Sequence, residues 1–168
     1  MYTPSLQHLD LSYNSFKTIP HQISLLKHLK SLNLAHNYLI NTDGLTSPHL
    51  RTLNLESNRI SSINLPQLIN YINLSSNKFK SLLNIHAGSS IETFKIGNNL
   101  ITEIPKGYLN KFTSLKTFDA QGNELCSVDT NLLSAEMCLK DFLIEGTPVS
   151  LYLTMLKDSE GCIRFEIT

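Results

Sequence analysis

Three cysteines are the residues best suited to covalent chemistry in this 168-residue sequence: Cys126, Cys138 and Cys162. They form no Cys-x-x-Cys pair of the kind that zinc sites commonly use, so we expect no metal site. All six histidines lie between residues 8 and 86, which leaves a nucleophilic cysteine without a histidine nearby in the sequence. We therefore predict a protein that is not an enzyme and that uses no cofactor and no metal.

Charge and hydropathy narrow the possible partners. Fourteen Lys and Arg balance fourteen Asp and Glu, so the basic excess of a duplex nucleic-acid binder is missing. No window approaches 18 consecutive apolar residues, and the first residues lack the basic start and apolar run of a signal peptide. We predict no nucleic-acid partner and no membrane insertion.

One pattern, L-x-x-L-x-L-x-x-N-x-L, recurs six times along the chain, with other apolar residues in place of some leucines. The copies are LQHLDLSYNSF (6–16), LKSLNLAHNYL (29–39), LRTLNLESNRI (50–60), INYINLSSNKF (69–79), IETFKIGNNLI (91–101) and LKTFDAQGNEL (115–125). Their starts are 19 to 24 residues apart. The sequence resembles the leucine-rich-repeat family over roughly residues 5–130, because both the signature and the period match.

The physics of stacking explains the pattern. One repeat cannot bury its apolar side alone, but short strands stacked in parallel create a continuous core. The asparagine follows the strand, where its buried amide can bond backbone groups that would otherwise lack a partner. We predict a structural ladder of six asparagines: Asn14, Asn37, Asn58, Asn77, Asn99 and Asn123.

The predicted fold is an α/β leucine-rich-repeat solenoid, with a curved parallel β-sheet on the concave side and irregular, partly helical structure on the convex side. Residues 1–130 form the six-repeat solenoid and residues 131–168 form a C-terminal cap. The apolar residues of 131–146 and the stop at Gly146 favour a helix, followed by strands at about 148–156 and 162–168. The alternative is that residues 126–168 begin another domain.

The family resemblance implies binding of a protein partner through the concave face, with no bond made or broken. The predicted contact residues occupy variable positions of the repeats: Tyr13, Asn33, His36, Arg51, Asn54, Glu56, Tyr71, Asn73 and Lys95. Partner identity and oligomeric state are left open. Two alternatives remain: a targeting or regulatory segment of a larger signalling phosphatase, cyclase or kinase, or a secreted microbial effector that acts on a host protein.

The cysteines also bear on the compartment. Extracellular members of the family often have a closely spaced cysteine pair in the C-terminal flank, and that pair is absent here. We expect buried, reduced cysteines, which favours a reducing compartment and a cytoplasmic signalling scaffold.

Overall fold

The computed structural model describes residues 5–128, 138–151, 153–157 and 160–167. Its strands are β1 (His8–Asp10), β2 (Ser31–Asn33), β3 (Thr52–Asn54), β4 (Ile63–Asn64), β5 (Tyr71–Asn73), β6 (Ile85–His86), β7 (Thr93–Lys95), β8 (Thr117–Asp119), β9 (Asp141–Leu143), β10 (Leu153–Lys157) and β11 (Ile163–Ile167). Within these residues the main sheet has seven strands in the order β1-β2-β3-β5-β7-β8-β9. Neighbouring strands in it are parallel, which confirms the predicted leucine-rich-repeat solenoid.

The register of the sheet stacks equivalent residues of successive repeats. The middle residue of each strand faces the core, and these residues form the row Leu9, Leu32, Leu53, Ile72, Phe94, Phe118 and Phe142. All except Leu9 are buried, because Leu9 is in the first repeat and has a described repeat on one side only. Each repeat thus buries its apolar side against the next one, as stacking requires.

The convex side is irregular. It contains the two-stranded parallel sheet β4–β6 and short 3-10 helices at His21–Leu25, Leu82–Asn84, Leu109–Lys111 and Pro148–Leu151. In the part of the chain that is described, the helical structure predicted for this side is therefore limited to 3-10 helices of three to five residues. No helix in that part is long and apolar enough to cross a membrane.

The predicted helix over 131–146 is wrong in its described part, and residues 129–137 lie outside the described residues. Asp141–Leu143 is strand β9, which pairs in parallel with β8. Residues 139–149, LKDFLIEGTPV, repeat the spacing of the six earlier copies, with Thr147 in the place of the asparagine. The solenoid thus continues beyond residue 130 with a seventh repeat. The broad apolar face favoured a helix in the sequence, but Leu139, Phe142 and Ile144 instead pack into the core of the stacked repeats.

The last two strands form an antiparallel hairpin in which Leu153 pairs with Ile167 and Lys157 with Ile163. The second strand lies within the predicted range 162–168. The first was predicted at 148–156, but Pro148–Leu151 is a 3-10 helix and the strand runs over Leu153–Lys157.

A disulfide joins Cys138, next to the start of the seventh repeat, to Cys162, just before β11. The backbone N–H of Ile163 also donates to the carbonyl of Leu139, 2.8 Å away. The expectation of reduced cysteines is therefore wrong for this pair, and Cys126, the remaining cysteine, is exposed. Sequence spacing misled because the hairpin brings back a residue 24 positions away.

Candidate partner-binding surface

Buried asparagines hold the turns that follow the concave strands. In the third repeat, Asn58 Nδ2 donates to the carbonyl of Leu34 in the preceding repeat at 3.0 Å and to that of Leu55 in its own repeat at 3.1 Å. Its Oδ1 accepts the N–H of Leu39 at 2.9 Å. The same arrangement recurs at Asn37, Asn77, Asn99 and Asn123. Each buried amide therefore ties two repeats together.

The two ends of the ladder differ from its middle. Asn14 is exposed, and its Nδ2 donates to the carbonyls of Leu11 and Ser12 in its own repeat. At the other end Thr147 is buried and its hydroxyl donates to the carbonyl of Ile144 at 2.7 Å. Threonine can supply one donor where asparagine supplies two, so the seventh rung is simpler.

The residue before each rung has a left-handed backbone. Tyr13, His36, Ser57, Ser76 and Asn98 have φ between 51° and 57°, and glycines occupy this position in the last two repeats. A non-glycine residue in this conformation costs about 1–2 kcal/mol, which the neighbouring hydrogen bonds must offset. The result is a fixed turn that directs each side chain to the rim of the sheet.

At this rim Tyr13 and His36 form a stacked pair. Their ring centroids are 4.2 Å apart and their planes differ by 11°. Tyr13 remains 77% exposed, the second-highest value among the large apolar side chains exposed in the described residues. Two predicted contact residues thus lie together, in the turns after β1 and β2.

The concave face consists of three columns of side chains. Alternation along a strand points the first and third strand residues outward, and the residue two positions later continues the face. The first column is His8, Ser31, Thr52, Tyr71, Thr93, Thr117 and Asp141. The second is Asp10, Asn33, Asn54, Asn73, Lys95, Asp119 and Leu143. The third is Ser12, Ala35, Glu56, Ser75, Gly97, Gln121 and Glu145.

Most polar groups of the second column bond to their own backbone. Oδ1 of Asn33, Asn54 and Asn73 accepts the N–H of the residue two positions later at 3.0–3.1 Å. Asp10 and Asp119 do the same. These Asx turns end the strands and leave the carboxamides less free for a partner than the sequence implied.

Hydrogen bonds also set the charge of the first acid in this column. Hydrogen bonds from the hydroxyl of Ser12, then from its backbone N–H, and then from the amide of Asn33 lower the pKa of the Asp10 carboxyl below its ordinary value. Asp10 is therefore ionised at neutral pH and presents a negative charge beside the Tyr13 turn.

Two predicted contacts need correction. Asn73 is only 6% exposed, and its Nδ2 donates to Glu56 Oε2 at 3.0 Å. Asn73 therefore positions Glu56, which is itself half-buried on the face. Arg51 precedes β3 and lies at the edge where the strands begin, where it donates to the carbonyl of Leu68 at 3.1 Å. Alternation along the sequence predicts to which side of the sheet a side chain points, but the side chains of neighbouring columns determine how exposed it is.

The remaining predicted contacts, Asn33, Asn54, Tyr71 and Lys95, lie on the concave face and are half-buried. Tyr71 pairs in register with Thr52 and Thr93, so its ring stands between two small side chains.

The acidic end of the face was not predicted from the sequence. Thr117 Oγ1 donates to Asp141 Oδ2 at 3.1 Å, and the Gln121 amide donates to the Glu145 carboxylate. Both acids belong to the seventh repeat, so recognition of LKDFLIEGTPV would have revealed them.

A cleft on the rim beyond the asparagines was also missed. It has a volume of about 450 Å³ and is lined by Ser15, Lys17, Tyr38, Ile40 and Arg59. Arg59 Cζ lies 4.9 Å from the centroid of the Tyr38 ring, and Ile40 is 58% exposed. Tyr38 and Arg59 each follow a ladder asparagine directly, which was the available signal.

Among the described residues, no group of three or more His, Cys, Asp and Glu side chains could hold a metal ion.

Comparison with known proteins agrees with the repeat architecture. Residues 1–39 and 46–62 match family descriptions that read Leucine rich repeat. The chain is 32% identical over 114 residues to Toll-like receptor 2 of Homo sapiens, a match that covers 67% of this chain and 14% of the receptor. It is also 32% identical over 121 residues to podocan-like protein 1 of Homo sapiens, with 66% of this chain and 23% of that protein covered.

Solved structures share the fold. The APL1 leucine-rich repeat domain superposes with a TM-score of 0.74 at 22% identity, covering 86% of this chain and 38% of that domain's chain. The present chain spans less than a quarter of the length of Toll-like receptor 2 and of podocan-like protein 1.

Proposed function

We propose that the chain is a non-catalytic module that binds a partner protein through the N-terminal half of its concave face. It belongs to the leucine-rich-repeat family, whose fold is typical of protein–protein interaction. No bond is made or broken in this function. A rigid sheet loses little conformational entropy on binding, which suits such a scaffold to recognition.

The observation that carries the proposal is the stacked pair Tyr13–His36. A tyrosine ring that is 77% exposed and held in place by a neighbouring ring loses little freedom on binding. Tyrosine and arginine dominate the energetically important positions of protein interfaces. Tyr71 on the face and the Tyr38–Arg59 pair on the rim add residues of these same types to the first four repeats.

We also propose that the protein works in an oxidising compartment. The cytoplasmic prediction rested on reduced cysteines, on the missing signal-peptide pattern and on the missing cysteine pair of extracellular caps, and the Cys138–Cys162 disulfide removes the first of these. Disulfides persist in secreted and extracellular proteins and are rare in the cytosol. The similarity to a protein named as a Toll-like receptor is consistent with this location.

The test is affinity capture from secreted and cell-surface protein fractions, followed by mass spectrometry. We would compare the wild type with Tyr13→Ala/Tyr71→Ala, a double variant that removes two rings while leaving the ladder intact. The matched control is Leu83→Ala, which removes an exposed apolar side chain on the convex side.

The proposal predicts a protein that the wild type and Leu83→Ala retain and that the double variant loses. Equal capture by the double variant would contradict the concave assignment, provided that all three proteins show the same melting temperature. Loss with Leu83→Ala alone would instead identify the convex side as the binding surface.

A further inference from the structure

A second polar site lies at the edge where the concave strands begin. Here a cleft of about 220 Å³ is lined by Gln7, His28, Lys30, His49 and Arg51. All five are exposed, and none of them is an acid. The whole chain is electrically balanced, with fourteen basic and fourteen acidic residues, so this local excess of cationic groups is not a consequence of composition.

The repeat architecture builds the cleft. His28 and Lys30 flank the fully buried Leu29, and the next repeat places His49 and Arg51 around Leu50 in the same way. Because the leucines point into the core, the residues on either side project outward at the same edge.

Backbone bonds hold these residues in register. The N–H of Lys30 donates to the carbonyl of Gln7 at 2.8 Å, and the N–H of Arg51 donates to the carbonyl of Lys30 at 2.8 Å. The guanidinium of Arg51 is fixed further by its 3.1 Å bond to the carbonyl of Leu68. The side chains therefore form a short column with the spacing of adjacent strands, about 4.8 Å.

The same edge differs in the later repeats. Glu92 and Lys116 occupy the positions that correspond to Lys30 and Arg51, and they form an ion pair with each other. The charges of these two side chains thus neutralise each other, whereas the lining of the cleft contains no carboxylate. The cationic groups of the second and third repeats are available to an external anion.

We propose that this cleft binds a tetrahedral oxyanion, the phosphate or sulfate group of a ligand. Lysine offers three N–H donors, arginine five, glutamine two, and each imidazole at least one. A carboxylate offers two oxygens in one plane, whereas a phosphate or sulfate monoester has three terminal oxygens that point in different directions and can accept from more of these donors. Arginine in particular matches the geometry of such oxygens with paired hydrogen bonds.

The site is separate from the proposed protein-binding face, and its test needs no protein partner. Ring resonances of His28 and His49 would be followed by NMR while inorganic phosphate, inorganic sulfate or acetate is added at constant pH and ionic strength. Phosphoserine and a sulfated monosaccharide would then distinguish the two sources of the oxyanion. We expect saturable shifts with phosphate or sulfate and none of comparable affinity with acetate.

Two variants make the test specific. Lys30→Gln/Arg51→Gln should weaken oxyanion binding at least tenfold, while Lys116→Gln, at the equivalent position in the ion pair with Glu92, should leave it unchanged. All three side chains are exposed, so the fold should persist, and circular dichroism would verify it. Unchanged affinity in the double variant, equal affinity for acetate, or shifts that do not saturate would overturn the proposal.

Discussion

The side-chain Oδ1 of Asn58 accepts the backbone N–H of Leu39 across a repeat boundary at 2.9 Å. Both residues are buried, so bulk water does not compete for this bond in the folded protein. The same amide donates back to the carbonyl of Leu34 in the earlier repeat. One side chain therefore couples the order of two repeats, and five such amides stabilise the turns that present the binding surface.

Removal of one rung should be costly. We expect Asn58→Ala to lower the free energy of unfolding by at least about 2 kcal/mol, because each buried group left without a partner costs about 1–3 kcal/mol. Urea denaturation followed by circular dichroism measures this. Asn14→Ala is the control and should cost less than about 1 kcal/mol, because water can replace its exposed amide. Equal losses in the two variants would argue against the coupling role.

The core row makes a second prediction. Leu53 is fully buried between Leu32 and Ile72, so Leu53→Ala should cost about 2–5 kcal/mol through lost burial and a cavity. The exposed Leu83 is the matched leucine, and its replacement by alanine should change stability by roughly 0.5 kcal/mol or less. Thermal and urea unfolding of both variants would check this. A loss below 1 kcal/mol at Leu53 would refute its inward position.

The third prediction concerns the disulfide. Cys138→Ser/Cys162→Ser opens a loop with a sequence separation of 24, which the chain-entropy model values at about 3–4 kcal/mol. We expect weaker protection of the backbone amides of β9, in the seventh repeat, and of β11, in the hairpin, measured by hydrogen exchange. Cys126→Ser, at the exposed free thiol, should change the protection of neither strand. Identical protection in the double variant and the wild type would show that the disulfide does not hold the hairpin.

The convex side makes a fourth. A Cβ added at Gly88 would lie 2.6 Å from the backbone carbonyl oxygen of Gln67, a contact that the backbone must move to relieve. Gly88→Ala should therefore destabilise by about 1–3 kcal/mol. Gly44→Ala is the comparison variant. Gly44 has φ +87° and nothing within 4 Å of an added Cβ, so this variant introduces backbone strain without a steric clash. A neutral Gly88→Ala would mean that the convex loops are more loosely packed than the structure indicates.

The fixed spacing of residues within each repeat made the solenoid predictable, although the repeats differ in length. Leucines such as Leu53 recur at fixed offsets, and the asparagines follow each strand at one position, so both the core row and the ladder could be inferred without a structure. The seventh repeat was hidden because Thr147 replaces the asparagine and because its apolar residues also fit a helix.

The binding surface was harder to predict, because exposure depends on neighbours in space. Asn73 points outward, yet Glu56 and the adjacent columns bury it. Arginine is a residue type common in interfaces, but Arg51 precedes β3 and therefore lies at the edge of the sheet where the strands begin. The Cys138–Cys162 pairing depends on where the hairpin returns, which no spacing rule supplied.

We propose above all that a partner binds the N-terminal half of the concave face and contacts its rim at Tyr13 and His36. The most direct measurement replaces Tyr13 by a photo-crosslinking amino acid and, in a separate protein, Leu83 by the same residue. After illumination in a preparation of secreted and cell-surface proteins, we predict a specific crosslinked protein at position 13 and none at position 83. A specific crosslinked protein at position 83 and none at position 13 would contradict recognition by the concave face and its rim.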